Sequence, residues 1–126
     1  MRTAAKLIAV VDDDEATRQS VQRLLQARGY LVSTFESAEE FLGSGLIESA
    51  AGLVLDIQLK GMSGIELRRL LPTEMSRIPI VFITAHDDDA TRREAFAAGC
   101  ADYLQKPFAA DQLTEALERG RGASRD

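Results

Sequence analysis

Leu7-Ile8-Ala9-Val10-Val11-Asp12-Asp13-Asp14 decides the fold. An apolar run rich in Ile and Val is followed at once by three acids. Such a run reads as a short strand buried on both faces, which is the habit of parallel sheets. The device recurs along the chain. Leu53-Val54-Leu55 stops at Asp56, Ile80-Val81-Phe82-Ile83 stops at Thr84, and Tyr103-Leu104 leads to Lys106-Pro107. In a parallel sheet the carboxyl ends of the strands share one edge. Side chains far apart in sequence meet there, and open α/β sheets place their sites along it.

Working outward, Lys6–Val11 is the first strand, and a helix follows from about Asp14 to Arg28. Val21, Leu24, Leu25 and Arg28 keep the i, i+3, i+4, i+7 spacing, with Arg28 as a snorkelling end and Gly29 as the stop. Tyr30–Thr34 alternates and forms a second strand. Ser37-Ala38-Glu39-Glu40 has the capping-box pattern before Phe41-Leu42, and Gly43 and Gly45 loosen that helix's end. After the third strand a loop, Gln58–Ser63, leads to a helix from about Ser63 to Met75. Its core stripe is Ile65, Leu67, Leu70 and Leu71, and Pro72 kinks or shortens it. Pro79 opens the fourth strand. Asp87–Ala98 is an Ala-rich helix with acids in its first turn, stopped by Gly99. Ala101–Gln105 is the fifth strand and Ala109–Arg119 the last helix, with Leu113, Ala116 and Leu117 inward. The tail, Gly120–Asp126, has no apolar anchor and is expected to fray.

Strand and helix thus alternate five times. That order implies an α/β fold with parallel strands, right-handed crossovers and helices on both faces. A chain of 126 residues, 45% apolar and 28% charged, suits one globular domain, residues 1–126 with a core of about 6–119. The net charge of −5 argues against nonspecific binding to nucleic acid. Cys100 is the only cysteine, which leaves no disulfide framework and no thiolate zinc cluster. Its apolar setting makes it a buried small residue rather than a reactive thiol. No run approaches the ~20 apolar residues of a membrane span, and a cytoplasmic protein is the default expectation.

Asp12, Asp13 and Asp56 dominate the chemistry. Two unit charges about 4 Å apart repel by roughly 4 kcal/mol at an effective dielectric near 20. Three carboxylates on one rim therefore need a cation or a raised pKa. Oxygen-only ligands suit Mg²⁺, or Mn²⁺ by the same logic. Asp14 is read instead as the helix cap, and a cap with first-turn acids is the plain alternative for the whole triplet. Asp56 is the one carboxylate that ends the third strand, and a carboxylate is a competent nucleophile toward a phosphoryl group. The Lys106 ammonium can pair with it, and the Lys106–Pro107 isomer stays open. Thr84 places a hydroxyl on the same edge. Tyr103, on an edge strand, either rotates between exposed and buried positions or is a static aromatic. His86, the single histidine, is a rim residue and makes no zinc site.

These residues resemble the receiver domain of bacterial two-component response regulators over Lys6–Glu118. The carriers are Val10-Val11-Asp12-Asp13-Asp14, Leu53-Val54-Leu55-Asp56, Met62-Ser63-Gly64, Ile83-Thr84-Ala85 and Lys106-Pro107-Phe108. Tyr30 through Leu42 is most similar to the FixJ-like subgroup. The resemblance implies a CheY-like, flavodoxin-like (βα)5 sheet with strand order 2-1-3-4-5. It implies that Asp56 takes phosphate from a sensor kinase's phosphohistidine or a phosphotransfer protein, and that Lys106 contacts the phosphoryl oxygens. Asp13, Asp56 and the backbone carbonyl of Gln58 would bind Mg²⁺, with Asp12 helping through water. Thr84 and Tyr103 would be the switch pair. The fourth helix, fifth strand and fifth helix would form the output surface. Gln58 and His86 stand where residues tune phosphoryl lifetime. Two departures are Lys60, where the family usually has Pro, and Ser63, where it usually has Asp.

The leading expectation is therefore a phosphoacceptor switch rather than an enzyme. Its partners would be a kinase and either a downstream target protein or a C-terminal output domain beyond this sequence. A phosphorylation-dependent homodimer stays open, and no direct nucleic-acid or membrane contact is expected. The competing readings are a phosphorylation-independent protein-binding module and a Mg²⁺-dependent aspartyl-phosphate phosphohydrolase. The hydrolase usually needs an Asp-x-Asp run on its first strand and a cap domain.

Overall fold

The structure, a computed structural model, describes residues 6–71 and 78–124. Its elements run β1 (Leu7–Val11), α1 (Glu15–Ala27), β2 (Leu31–Phe35), α2 (Ala38–Ser44), β3 (Gly52–Asp56), α3 (Gly64–Leu70), β4 (Ile80–Thr84), α4 (Asp89–Ala98), β5 (Asp102–Gln105) and α5 (Ala110–Ser124). A short 3-10 turn, Leu46–Glu48, joins α2 to β3 and has no signal in the apolar pattern. All pairings are parallel, in the order β2-β1-β3-β4-β5. The expected fold class and strand order are those observed.

The alternation of each strand divides the core into two layers. Ala9, Val11, Leu53, Leu55 and Phe82 face the layer that holds Phe41, Ile65, Leu67 and Ala95 from α2, α3 and α4. Ile8, Val10, Val54, Val81 and Ile83 face Val21, Leu25, Leu113 and Leu117 from α1 and α5. Every residue of β3 and β4 is buried, as strands covered on both faces must be. A Phe82→Ala change would cost about 3–5 kcal/mol at such a site.

Polar side chains fix the ends. Asp14 accepts from the Thr17 N–H and caps α1, as expected. Arg28 ties the end of α1 to α5 through Asp111 at 2.8 Å and Thr114 at 3.1 Å. Ser37 caps α2, but the Glu40 carboxylate takes the N–H of Glu36 rather than that of Ser37, so the reciprocal box expected there is shifted by one residue. The reciprocal box is found at Ser63 and Glu66 on α3.

Two helix ends and one core position differ from the sequence reading. The α3 helix ends at Leu70, well before Met75, and Pro72 and Met75 lie outside the described residues. Leu71 is extended at φ −73°, ψ 143°, the conformation a following proline enforces. Leu71 consequently turns into the core, while Leu70, expected in the core stripe, is 60% exposed. At the other end of the chain α5 continues past Arg119 to Ser124. Of the tail expected to fray, Gly120–Ser124 are thus part of α5, and Arg125 and Asp126 lie outside the described residues. Among the described residues no helix is long and apolar enough to cross a membrane.

Candidate functional site

The strand ends deliver the polar residues to one edge. Asp12 follows β1, Asp56 ends β3, Thr84 ends β4 and Lys106 follows β5. Register keeps them level: Val11 pairs with Leu55, Asp56 with Ile83 and Thr84 with Gln105. Asp12 and Thr84 are fully buried and Asp56 is 4% exposed, whereas Asp13 is open to solvent.

One carboxylate oxygen from each of Asp12, Asp13 and Asp56 lies within 4.8 Å of the other two. Lys106 Nζ donates to Asp12 Oδ2 at 2.8 Å and to Asp56 Oδ2 at 3.3 Å. The remaining oxygens of the two buried acids are also served. Asp12 Oδ1 accepts from the Asp14 N–H at 2.9 Å, and Asp56 Oδ1 accepts from the Gln58 N–H at 3.1 Å. The Lys106–Pro107 peptide is cis.

One ammonium is not enough for three acids. Burial, with the Asp12 charge second, pushes the Asp56 carboxyl up to about 7, against the opposing pull of Lys106. For Lys106, burial favours loss of the proton, but the Asp12 and Asp56 carboxylates together outweigh it and hold the ammonium above its ordinary range. The rim is short of positive charge. Its donor set is all carboxylate, with no imidazole or thiolate, and that suits a hard divalent cation such as Mg²⁺.

Thr84 is fixed by three contacts. Its hydroxyl lies 2.6 Å from Gln58 Oε1 and 3.1 Å from the His86 carbonyl, and it accepts from the His86 N–H at 3.0 Å. His86 itself is exposed, on the rim as expected. Tyr103 is buried on edge strand β5. Its hydroxyl has no hydrogen-bond partner among the described residues. The ring packs on Phe96 at 6.3 Å between centroids, and the Arg92 guanidinium stands 5.0 Å above it, held by Asp87 at 2.7 Å.

Three residues have supporting roles that the sequence did not assign to them. Arg18 Nη1 donates to the Asp12 carbonyl at 2.7 Å and steadies the β1 terminus. Glu39 on α2 accepts from the Met62 N–H at 3.1 Å and braces the loop after Asp56. Gly64 lies so close to that loop that a Cβ would stand 2.3 Å from the Asp56 carbonyl oxygen. Only Gly64 carried a signal, as a glycine in the first turn of a capped helix. The two departures also find their places. Ser63 caps α3, and exposed Lys60 lines a groove of about 460 Å³ beside Asp13, Gln58, Thr91 and Glu94.

Comparison with known proteins gives the family. Residues 8–118 match the model of the response regulator receiver domain. This chain belongs to that family. The transcriptional regulatory protein FixJ of Bradyrhizobium diazoefficiens is 38% identical over 111 residues, covering 88% of this chain and 54% of that protein. The nodulation protein W of the same organism is 37% identical, over 88% of this chain and 49% of that protein. The chain thus spans about half the length of these curated relatives. Among solved structures, FixJ-N superposes with a TM-score of 0.81 at 34% identity, covering 95% of this chain and 96% of that one. The BeF3-activated DrrB receiver domain gives 0.84 at 32% identity, covering 93% and 97%. A CheY-like receiver domain from Methanospirillum hungatei gives 0.86 at 26% identity, covering 97% and 98%. The receiver domain is a module of two-component signalling, and the FixJ-like resemblance read from the residues agrees with these relatives.

Proposed function

We propose that this receiver domain is a phosphoacceptor switch whose acceptor is Asp56. The observation that carries the reading is the Asp56 carboxylate itself. It is buried at a strand end, bonded to Lys106, and grouped with buried Asp12 and exposed Asp13. An Asp56 oxygen attacks the phosphorus of a donor, a phosphohistidine or a small acyl phosphate. The new P–O bond forms as the bond to imidazole or to the donor carboxylate breaks, and the departing group takes the electron pair. The product is an acyl phosphate on Asp56.

Asp12, Asp13, Asp56 and the Gln58 backbone carbonyl would hold Mg²⁺, with Asp12 acting through water. When bound, the ion would neutralise charge on the transferring phosphoryl oxygens. It would also favour the ionised, nucleophilic form of Asp56 over the protonated one. Lys106 is the fixed counter-charge for the incoming phosphoryl group. Phosphorylation adds roughly two negative charges and three acceptor oxygens. Thr84 then donates its hydroxyl to one of those oxygens, and Tyr103 adjusts to the space it leaves. The change is read on the surface of α4, β5 and α5.

The partners in this reading are a sensor histidine kinase or phosphotransfer protein, met in the cytoplasm, and an output. Because the relatives are about twice as long and are transcriptional regulators, the output is either a segment beyond this sequence or a separate target protein. Incubation with Mg²⁺ and acetyl phosphate tests the proposal by mass. A gain of one phosphoryl group supports it. No gain with any donor favours a phosphorylation-independent binding module, and continuous turnover of a phosphate ester favours a hydrolase.

A further inference from the structure

We propose that the Gln58 side chain is a positioning residue that latches the Thr84 hydroxyl in the unphosphorylated chain, so that phosphorylation must break this bond before Thr84 can serve the phosphoryl group. The inference rests on the role given to Thr84 above and adds what opposes it.

A threonine hydroxyl has one proton to donate. At 2.6 Å the contact with Gln58 Oε1 has the length of an O–H···O bond. The His86 N–H, at 3.0 Å, already occupies one lone pair of the same oxygen, and the His86 carbonyl at 3.1 Å is the longer alternative acceptor. The proton that would bond a phosphoryl oxygen is therefore the one Gln58 now holds, and the two bonds exclude each other.

Gln58 touches both ends of the site by different groups. Its backbone N–H donates to Asp56 Oδ1 at 3.1 Å, while its side chain reaches Thr84. A side-chain substitution leaves the first contact in place and removes only the second. Thr84 is fully buried, so a freed hydroxyl turns to the His86 carbonyl rather than to water. The latch is the difference between two acceptors. That places its effect in the lower part of the range for a net hydrogen bond, about two- to fivefold in an equilibrium constant.

The test compares the chain with Gln58→Leu, which keeps the bulk and cannot accept a proton. Beryllium trifluoride with Mg²⁺, an analogue of the phosphoryl group, is titrated and its midpoint read from NMR shifts. We expect Gln58→Leu to bind the analogue about two- to fivefold more tightly, and the gain to vanish in a Thr84→Ala background. An unchanged or weakened midpoint, or a gain that persists without the Thr84 hydroxyl, overturns the latch. A second measurement does not depend on phosphoryl chemistry. In the free protein the Thr84 hydroxyl proton should resonate further downfield in the parent, bonded to Gln58 Oε1, than in Gln58→Leu, bonded to the longer His86 carbonyl. A parent that takes up no analogue refutes the acceptor reading, whereas a hydroxyl shift that is the same in both proteins refutes the latch alone.

Discussion

Lys106 and Asp12 stand 94 positions apart in sequence, and their side chains meet at 2.8 Å. The same ammonium reaches Asp56 at 3.3 Å, which makes it the counter-charge for two buried acids. Replacing it by methionine strands both carboxylates. Breaking a buried ion pair costs roughly 3–5 kcal/mol, and the loss should fall near about 3 because Asp56 can take up a proton instead. Denaturant unfolding of Lys106→Met, with and without Mg²⁺, checks this. Magnesium should restore part of the loss in the variant.

The pH dependence has a definite sign. Asp56 ionises near 3.8 in the unfolded chain and near about 7 in the folded one. Between those values the folded state holds the extra proton, so stability is greatest at the acid end and falls as pH rises through about 7. The fall attributable to Asp56 is on the order of a few kcal/mol. Unfolding curves from pH 5 to 8 should show it without Mg²⁺ and lose much of it at saturating Mg²⁺, which stabilises the ionised form. A flat profile in both conditions would contradict the shift. In Asp12→Asn the carboxyl resonance of Asp56 should titrate lower than in the parent, yet still above 3.8, because burial is the larger cause.

Gly64 gives a packing prediction. An added Cβ would meet the Asp56 carbonyl oxygen at 2.3 Å and the Ile57 Cα at 3.2 Å, both backbone. Neither can swing aside. Gly64→Ala should cost about 1–3 kcal/mol by overpacking. It should also weaken Mg²⁺ binding, read by calorimetry, because the loop that carries Gln58 must shift.

Cys100 is half-buried, and burial, helped by the Asp102 charge, pushes its thiol up to about 11 from the ordinary 9.0. The thiolate fraction at neutral pH drops about a hundredfold with that change. The native protein should react with a disulfide reagent about tenfold more slowly than the unfolded chain, because the scarcer thiolate is also the stronger nucleophile.

The edge chemistry was legible because strand ends are written in composition. An apolar run that stops at a polar residue fixes both the strand and the end at which the residue stands. Asp12, Asp56, Thr84 and Lys106 were each placed by that rule, and the sheet's parallel order brought them together. The α3 terminus was misjudged because Leu70 and Leu71 both fit helical spacing. The choice between them is made by Pro72, which holds Leu71 extended. The Gln58–Thr84 bond was not legible at all. It depends on the path of the loop after Asp56, set by the Glu39 brace and the Gly64 approach, and neither follows a period. The inward position of Tyr103 was likewise open, since an edge-strand aromatic can face either way until Phe96 and Arg92 enclose it.

The central claim is that one side chain, Asp56, carries the phosphoryl group. Borohydride reduces an acyl phosphate to an alcohol, which turns the modified aspartate into homoserine. The protein is loaded with acetyl phosphate and Mg²⁺, reduced, digested and mapped by mass spectrometry. Homoserine at position 56 alone, absent when Mg²⁺ is withheld, is the predicted result. Homoserine at position 12 or 13, or none in a protein that unfolding shows to be intact, would contradict the account.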